Sequence, residues 1–178
     1  MDFALPPDLV RWQERVRAFV TEELQPHDAA IEETGQVPQE AMAGLRHMGL
    51  FGTNTPKAYG GLGLSMLGSC LAIEEIAKAH TAFYYLSGVN VHIGSKPVEF
   101  AGTEEQKRRW LPELASGRLV GAFALTERGA GSDAARLATT ARRDGPEHYV
   151  LDGGKVYITN APDADLITVF ATLDPAPG

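Results

Sequence analysis

The stretch Ala122-Phe-Ala-Leu-Thr-Glu-Arg-Gly-Ala-Gly-Ser-Asp133 says most about how this chain folds. Its short apolar run, residues 122–125, predicts a buried strand. The run reaches Thr126 and Glu127 and then breaks into glycines, which let backbone N–H groups approach a ligand closely. Thr126 and Ser132 add hydroxyl groups. The pattern predicts a strand and then a loop that holds a polar, anionic cofactor. A core strand followed by a plain turn is the alternative.

A second informative segment, Gly154-Lys-Val-Tyr-Ile-Thr-Asn160, follows further along the chain. We predict a strand over Lys155–Thr159. Residues two apart on a strand point to the same side, so Tyr157 and Thr159 can face one cofactor. Taken alone, the two are also ordinary strand residues.

These segments belong to a region rich in predicted strands that begins near residue 119. The candidate strands are Gly121–Leu125, Ala138–Arg143, His148–Leu151, Lys155–Thr159 and Leu166–Ala171. Predicted turns separate them at 144–146 and 152–154. The pattern indicates a β module that does not finish within the chain.

Residues 1–118 instead carry helical patterns. We predict helices over 9–20, 38–48, 65–80 and 82–100, with a loop at 60–63. Thr103 and Gln106 form a capping box for a last helix, which Pro112 should bend and Gly117 should end. Helices followed by strands predict an α+β fold with an all-α domain at 1–118 and a partial, β-barrel-like domain at 119–178.

Composition excludes several classes of protein. The chain has 178 residues and a formal net charge of -7, and we see no basic block typical of a nucleic-acid surface. No apolar stretch approaches the roughly 20 residues that span a bilayer, and the start of the chain has no basic segment typical of a secretory signal. The single cysteine, Cys70, favours a reducing, cytoplasmic setting, and we expect an inert core thiol.

Four segments together resemble the acyl-CoA dehydrogenase family. The stretch 122–133 resembles its T-E-P-x-x-G-S-D signature, and Lys155–Asn160 resembles its K-x-[WYF]-I-[TS]-N segment. Gly102–Lys107, followed by Leu-Pro, is similar to G-T-x-E-Q-K…LP. Tyr59–Gly63 is similar to Y-G-G-x-G. The four occur in the family's order and at about its spacing, over what would be the first half of a typical member.

The resemblance implies a helical domain, a β-barrel-like middle domain and a C-terminal four-helix domain, of which the third is expected to be absent here. It also implies FAD as cofactor and oxidation of a fatty acyl-CoA thioester to the trans-2,3-enoyl product. Electrons would pass to an electron-transfer flavoprotein. A homo-oligomer, dimer or tetramer, is implied for the complete protein.

The resemblance also assigns site residues. It implies that the flavin is contacted by Phe123, Leu125, Thr126, Gly131, Ser132, Tyr157, Ile158 and Thr159. It implies that the substrate is contacted by Ser132, Leu86, Val89, Asn90 and Ile93. For Leu86 and Ile93 a plain core stripe is an equal alternative. We expect His80, His92 and His148 to be packed or surface residues, without metal-ligand spacing, and Lys107–Arg109 to be a solvated helix face.

Two departures and one absence limit the resemblance. Arg128 replaces the signature proline, and we hypothesise that it lies near a phosphate of FAD or coenzyme A. Phe123 stands where many members carry tyrosine. No residue matches the family's catalytic carboxylate, and Glu127 is expected to be structural. We therefore predict weak FAD binding and no turnover by this chain alone.

Other functions remain open on this scaffold. A flavin monooxygenase or an acyl-carrier-protein dehydrogenase would use the same fold for related chemistry. A non-catalytic assembly module, completed by a partner chain, is a further alternative.

Overall fold

A computed structural model describes residues 4–146 and 148–173 of the chain. In these ranges the helices are α1 Pro7–Phe19, α2 Asp28–Thr34, α3 Gln39–His47, α4 Met66–Ile76, α5 Thr81–Val89, α6 Lys96–Ala101 and α7 Glu104–Ala115. The strands are β1 Gly121–Ala124, β2 Thr140–Asp144, β3 His148–Asp152 and β4 Leu166–Val169. Helices precede strands, so the predicted α+β class is confirmed.

Local signals set the ends of several helices. Ser65 accepts a hydrogen bond from the Gly68 N–H at 3.2 Å and so caps α4. The predicted capping box of α7 is present, with Thr103 and Gln106 bonded to each other's backbone N–H groups. Gly49 and Gly117 follow α3 and α7 with φ of 73° and 69°, which a glycine adopts without strain. Helix α7 continues through Pro112 to Ala115.

The single helix expected over 82–100 is wrong in one respect, because a π-helical segment, Asn90–Gly94, separates α5 from α6. Ser95 donates to the carbonyl of Asn90, five residues back, at 2.9 Å. Pro97 has no N–H, so it cannot donate the next bond that a continuous α-helix requires. The helical turn at this point therefore contains one extra residue, and α-helical geometry resumes in α6.

The helical core lies between α1, α3, α4 and α5. Its side chains include Val16, Leu24, Leu45, Phe51 and Phe83, all with 0% exposure. Burial of such aliphatic and aromatic groups supplies most of the free energy that stabilises this region.

Charged groups also join α1 to α4. The fully buried Glu75 receives hydrogen bonds from Arg17, Gln13 and Lys78. Arg17 is the main cause of the lowered pKa of Glu75, since it donates to the carboxylate.

The expectation that Cys70 is a core thiol is wrong. Cys70 is exposed on α4, beside the exposed Met66 and Leu67. The helix is apolar around most of its circumference, so the sequence did not reveal which side packs inward.

The strands form two small sheets. Strands β1 and β4 pair in parallel, with Gly121 opposite Leu166 and Ala124 opposite Val169. Strands β2 and β3 form an antiparallel hairpin. A β-bridge between Thr140, at the start of β2, and Thr172, just after β4, connects the two sheets. No closed barrel forms within the described ranges.

The predicted strand Lys155–Thr159 is wrong, because residues 155–159 form an irregular loop. Tyr157 has φ of 57°, in the left-handed region, which an extended strand excludes. Asn160 also has a positive φ, 65°. Hydrogen bonds to residues far away in the sequence, described below, hold the loop in this shape.

Contacts at residues 90 and 94 fix β1 against the helices, and one at residue 165 joins the residues just before β1 and β4. Asn90 accepts a hydrogen bond from the Gly121 N–H at 2.7 Å. Asp165 accepts one from the Val120 N–H at 2.9 Å. A Cβ built on Gly94 would stand 3.0 Å from the backbone of Gly121, so the two glycines allow β1 to approach the helix closely.

Candidate functional site

The two glycine- and hydroxyl-bearing segments lie side by side. The Val156 N–H donates to the Thr126 carbonyl at 3.0 Å. The Lys155 ammonium donates to the Leu125 carbonyl, also at 3.0 Å. Residues some 30 positions apart are thereby held as one surface, which is the geometry that a shared ligand requires.

Glu127 holds this surface together. Its carboxylate accepts hydrogen bonds from the N–H groups of Ala138 and Thr139 at 2.6 and 3.0 Å and from the Thr139 hydroxyl. It also forms an ion pair with Lys155 at 2.7 Å. These donors, Lys155 first, lower the pKa of Glu127 to about 2. These contacts fit the structural role expected for Glu127, which stays a prediction.

A pocket of about 430 Å³ opens beside this cluster. It is lined by Glu127, Arg128, Val156 and Tyr157. The Tyr157 side chain is 91% exposed, so one aromatic ring stands in the open next to the pocket. An exposed aromatic ring beside a concave polar surface suits a flat, conjugated ligand.

Three hydroxyl groups on the two segments suit a polar ligand. Within residues 4–146 and 148–173, the side chains of Thr126, Ser132 and Thr159 form no hydrogen bond with the protein. Gly129 and Gly131 face open space, because a Cβ built on either would meet nothing within 4 Å. Backbone and hydroxyl groups are thus free for a ligand with a polar edge and a phosphate, as FAD has.

The remaining predicted flavin residues lie around the same segments. Phe123 is half-buried on β1, and its ring packs against Phe170 with centroids 4.8 Å apart. Leu125 and Ile158 are also half-buried. Tyr157 and Thr159 lie on a loop, so the argument that a strand aligns them is wrong, although both are on the loop that follows Val156.

The four residues predicted to contact the acyl chain differ in how deeply they are buried. Leu86 is half-buried against the helical core, Val89 is 7% exposed and Ile93 is 42% exposed. Asn90 is fully buried, and its amide donates to the Leu114 carbonyl at 2.9 Å. Its oxygen is bonded to Gly121, so Asn90 joins structural elements and faces no open surface.

A second pocket, of about 520 Å³, lies on the helices and includes none of those four residues. Its lining is Met66, Cys70, Ile73, Tyr84, His92, Lys96 and Phe100. His92 is bonded to the Ser69 hydroxyl at 2.8 Å, and burial lowers the pKa of the imidazole. His80 caps α5, and His148 is exposed on β3.

Two structural residues escaped the sequence analysis. Lys155 was part of a recognised segment, but nothing local indicated that its ammonium would turn inward to Glu127. Asp165 gave no signal, because its partner at Val120 lies 45 residues earlier in the chain. In the described part of the chain, no cluster of three metal-binding side chains occurs and no helix is long and apolar enough to cross a bilayer.

Comparison with protein families identifies the chain. The model of the acyl-CoA dehydrogenase N-terminal domain matches residues 6–118, and that of the middle domain matches residues 122–178. The chain belongs to the acyl-CoA dehydrogenase family. The resemblance deduced from the four sequence segments is thereby confirmed.

Relatives within the acyl-CoA dehydrogenase family match nearly the whole chain. A probable acyl-CoA dehydrogenase, FadE25, of Mycobacterium bovis is 36% identical over 99% of this chain and 45% of its own length. A 3-(aryl)acrylate reductase of Clostridium sporogenes is 40% identical over 100% of this chain and 46% of its own length. The chain therefore spans about half the length of these relatives.

Solved acyl-CoA dehydrogenases share the fold. A glutaryl-coenzyme A dehydrogenase in complex with glutaryl-CoA aligns over 100% of this chain and 46% of its own, with a TM-score of 0.92 and 33% identity. An acyl-CoA dehydrogenase of Bacillus anthracis, complexed with FAD, aligns over 94% and 29%, with a TM-score of 0.83 and 37% identity. FAD is thus confirmed as a cofactor within the family.

A third solved structure with this fold belongs to work on the electron transferring flavoprotein of Acidaminococcus fermentans. One of its chains aligns over 98% of this chain and 46% of its own, with a TM-score of 0.90 and 36% identity.

Proposed function

We propose that this chain forms one wall of an FAD site in an enzyme that oxidises an acyl-CoA thioester to the trans-2,3-enoyl-CoA. One observation carries the proposal. The segment with Thr126 and the loop with Tyr157 are bonded together at Val156, and together they line a pocket through Glu127, Arg128, Val156 and Tyr157. Family membership supplies the reaction class.

The side chains of this wall would bind and orient the cofactor. Tyr157 would cover one face of the flavin ring, with Phe123, Leu125 and Ile158 beside it. Thr126 and Thr159 would donate hydrogen bonds to the ring's polar edge, and Gly131 and Ser132 would meet the diphosphate. When bound, FAD supplies the chemistry of hydride acceptance.

The thioester would pass Ser132 and extend along the helices. Leu86 and Ile93 are the two predicted acyl-chain residues that retain exposed surface, so we propose that they contact the acyl tail. Val89 and Asn90 would support that wall from inside.

The α-proton must go to a carboxylate base, and Glu127 does not suit that role. A base that works near neutral pH needs a pKa close to that pH, whereas the pKa of Glu127 is about 2. Its oxygens are also held by Lys155, Ala138 and Thr139. We propose that the base lies outside these 178 residues. An electron-transfer flavoprotein as acceptor and a homo-oligomeric assembly are part of the same proposal.

The test is flavin binding and thioester-dependent flavin reduction in the complete polypeptide that carries these residues. We expect FAD to be retained through gel filtration and its absorbance to bleach when an acyl-CoA is added without oxygen. Thr126→Val should weaken flavin binding, and Thr140→Val, which is away from the pocket, should not. Absence of bound flavin would contradict the proposal.

The separate 178-residue chain gives a second test. It should bind FAD weakly and reduce no dye when supplied with an acyl-CoA. Retained flavin together with dye reduction would show that the chain contains its own base.

One relative favours a second candidate, the reverse reaction. The 40% identical protein of Clostridium sporogenes is a 3-(aryl)acrylate reductase, so the same wall could serve reduction of a conjugated double bond. Oxidation of an acyl-CoA and reduction of an enoyl or arylacryloyl substrate, measured on the same preparation, would separate the two directions.

A further inference from the structure

Arg128 stands at the tip of a tight turn beside the flavin-side pocket. The turn is closed by two backbone hydrogen bonds between Glu127 and Ala130, at 3.0 and 3.2 Å. Arg128 is exposed and lines the pocket. In the part of the chain that the structure describes, its guanidinium forms no ion pair or hydrogen bond. It is therefore free to bind a ligand.

The charge balance of the pocket makes this cation significant. Glu127 also lines the pocket, but its negative charge is compensated by the ammonium of Lys155 at 2.7 Å. Arg128 consequently leaves the lining with a net positive charge, on a chain whose formal net charge is -7. An uncompensated cation at a concave surface attracts anions.

We propose that Arg128 binds a phosphate group of the nucleotide ligand in this pocket. The planar guanidinium donates paired hydrogen bonds that match the geometry of phosphate oxygens. The exposed Tyr157 ring offers an aromatic surface for the ring system of the same ligand. Both FAD and the coenzyme A part of a thioester carry such phosphates. The inference rests on the proposed function and adds a residue that determines affinity.

The turn permits a clean substitution. Proline is favoured at the first inner position of a common β-turn, and the Arg128 N–H has no partner among the described residues. Arg128→Pro should therefore fold normally and lack the cation. Arg128→Gln removes the charge and keeps a long polar side chain. Arg128→Lys keeps the charge but lacks the planar guanidinium that donates paired hydrogen bonds. Arg142→Gln, an exposed arginine on β2 outside the pocket, is the matched control.

The experiment measures dissociation constants for two ligand pairs on the complete polypeptide. One pair is FAD and riboflavin, and the other is an acyl-CoA and the corresponding acyl-pantetheine, which lacks the nucleotide phosphates. Arg128→Gln and Arg128→Pro should each weaken the phosphate-bearing member of one pair about tenfold, since a charge-assisted hydrogen bond is lost. The dissociation constant of Arg128→Lys should lie between those of these two variants and that of the unaltered protein. The difference in dissociation constant between variant and unaltered protein should shrink in high salt.

The outcomes separate the inference from the proposed function. A loss confined to FAD assigns the phosphate to the flavin, and a loss confined to acyl-CoA assigns it to the thioester. Equal weakening of both members of each pair, or no weakening, would overturn the role of Arg128 while flavin binding stands. If the unaltered protein binds no flavin, the proposed function fails and the inference with it.

Discussion

Glu127 joins two distant segments of the chain through its carboxylate. Its carboxylate accepts hydrogen bonds from two separate parts of the chain, residues 138–139 and residue 155. The same donors lower its pKa to about 2, so the carboxylate is ionised at neutral pH. These contacts give Glu127 a structural role in the fold, and its absence from the chemistry stays a prediction.

We predict that Glu127→Gln makes the protein less stable and less sensitive to acid. The pKa of a glutamate in the unfolded chain is about 4.3. The folded value is lower, so the unfolded chain binds the proton first and stability falls as pH drops from about 4.3 towards 2. In this window, unfolding of the variant should take up about one proton fewer. Denaturant unfolding between pH 2 and 7 measures this.

The control for that experiment is Glu105→Gln, an exposed acid at the start of α7 with no ion pair in the described structure. The loss of stability in this control should stay within about 0.5 kcal/mol. An identical pH profile for Glu127→Gln and the unaltered protein would show that the cluster around Glu127 does not form in solution.

Asn90 is a second residue whose importance is structural. Asn90→Leu keeps the approximate size but leaves the Gly121 N–H without a partner, whereas the Leu114 carbonyl still accepts from the Gly117 N–H. We expect a loss of about 2 kcal/mol in the free energy of unfolding, because one buried donor becomes unsatisfied. The comparison is Gln25→Leu, since Gln25 also donates to a carbonyl, that of Lys78, but in an exposed position. Its loss should stay within about 0.5 kcal/mol. Similar losses for both would contradict the role of Asn90.

At the scale of elements, the two consecutive glycines of the loop Tyr59–Gly63 are required for different reasons. Gly60 has φ of 81°, and a Cβ there would meet only Pro112 at 4.0 Å. A Cβ on Gly61 would stand 2.1 Å from the Thr55 carbonyl oxygen. The first glycine is needed for conformation and the second for space.

The two substitutions should therefore differ in cost. We predict that Gly61→Ala lowers the free energy of unfolding by about 3 kcal/mol, since backbone must move to relieve the clash. Gly60→Ala should cost only about 1 kcal/mol, the strain of a left-handed alanine. Urea unfolding of both variants measures the difference, and equal costs would show that the loop does not pack against residue 55 as described.

The loop 155–159 allows function and stability to be separated. Tyr157 is exposed and has positive φ, a conformation that asparagine tolerates well. Tyr157→Asn should leave the melting temperature unchanged and weaken FAD binding about tenfold through loss of aromatic stacking. Tyr149→Asn, at a half-exposed tyrosine on β3, should not change FAD binding. Unchanged flavin affinity in Tyr157→Asn would remove that ring from the site.

At the scale of the whole molecule, stability should be unevenly distributed. The helices surround a contiguous core, whereas all five residues of β3 are exposed and, among the described residues, pair with β2 alone. On β2 itself only Ala141 is buried, and a two-stranded hairpin with so little buried surface is marginally stable. We predict that amide hydrogens bonded within this hairpin exchange about 100-fold faster, or more, than those of α1 and α4. Hydrogen exchange followed by mass spectrometry tests this, and equal protection would contradict it.

The sequence by itself determined the family, the α+β order, the main helices and the β2–β3 hairpin. Helical periodicity, the capping box at Thr103 and the glycines at helix ends act over a few residues, so they can be predicted locally. The flavin-side segments could be recognised because their residue types occur in a known order.

Only the tertiary structure decided how distant residues meet. The parallel pairing of β1 with β4, the burial of Asn90 and the left-handed Tyr157 depend on partners far away in the sequence. Lys155 reaches Glu127 because the chain between them folds back, and residues 155–159 lie in a loop there. Local propensity is weak compared with such packing and hydrogen bonding, so the final geometry of the site came from the fold.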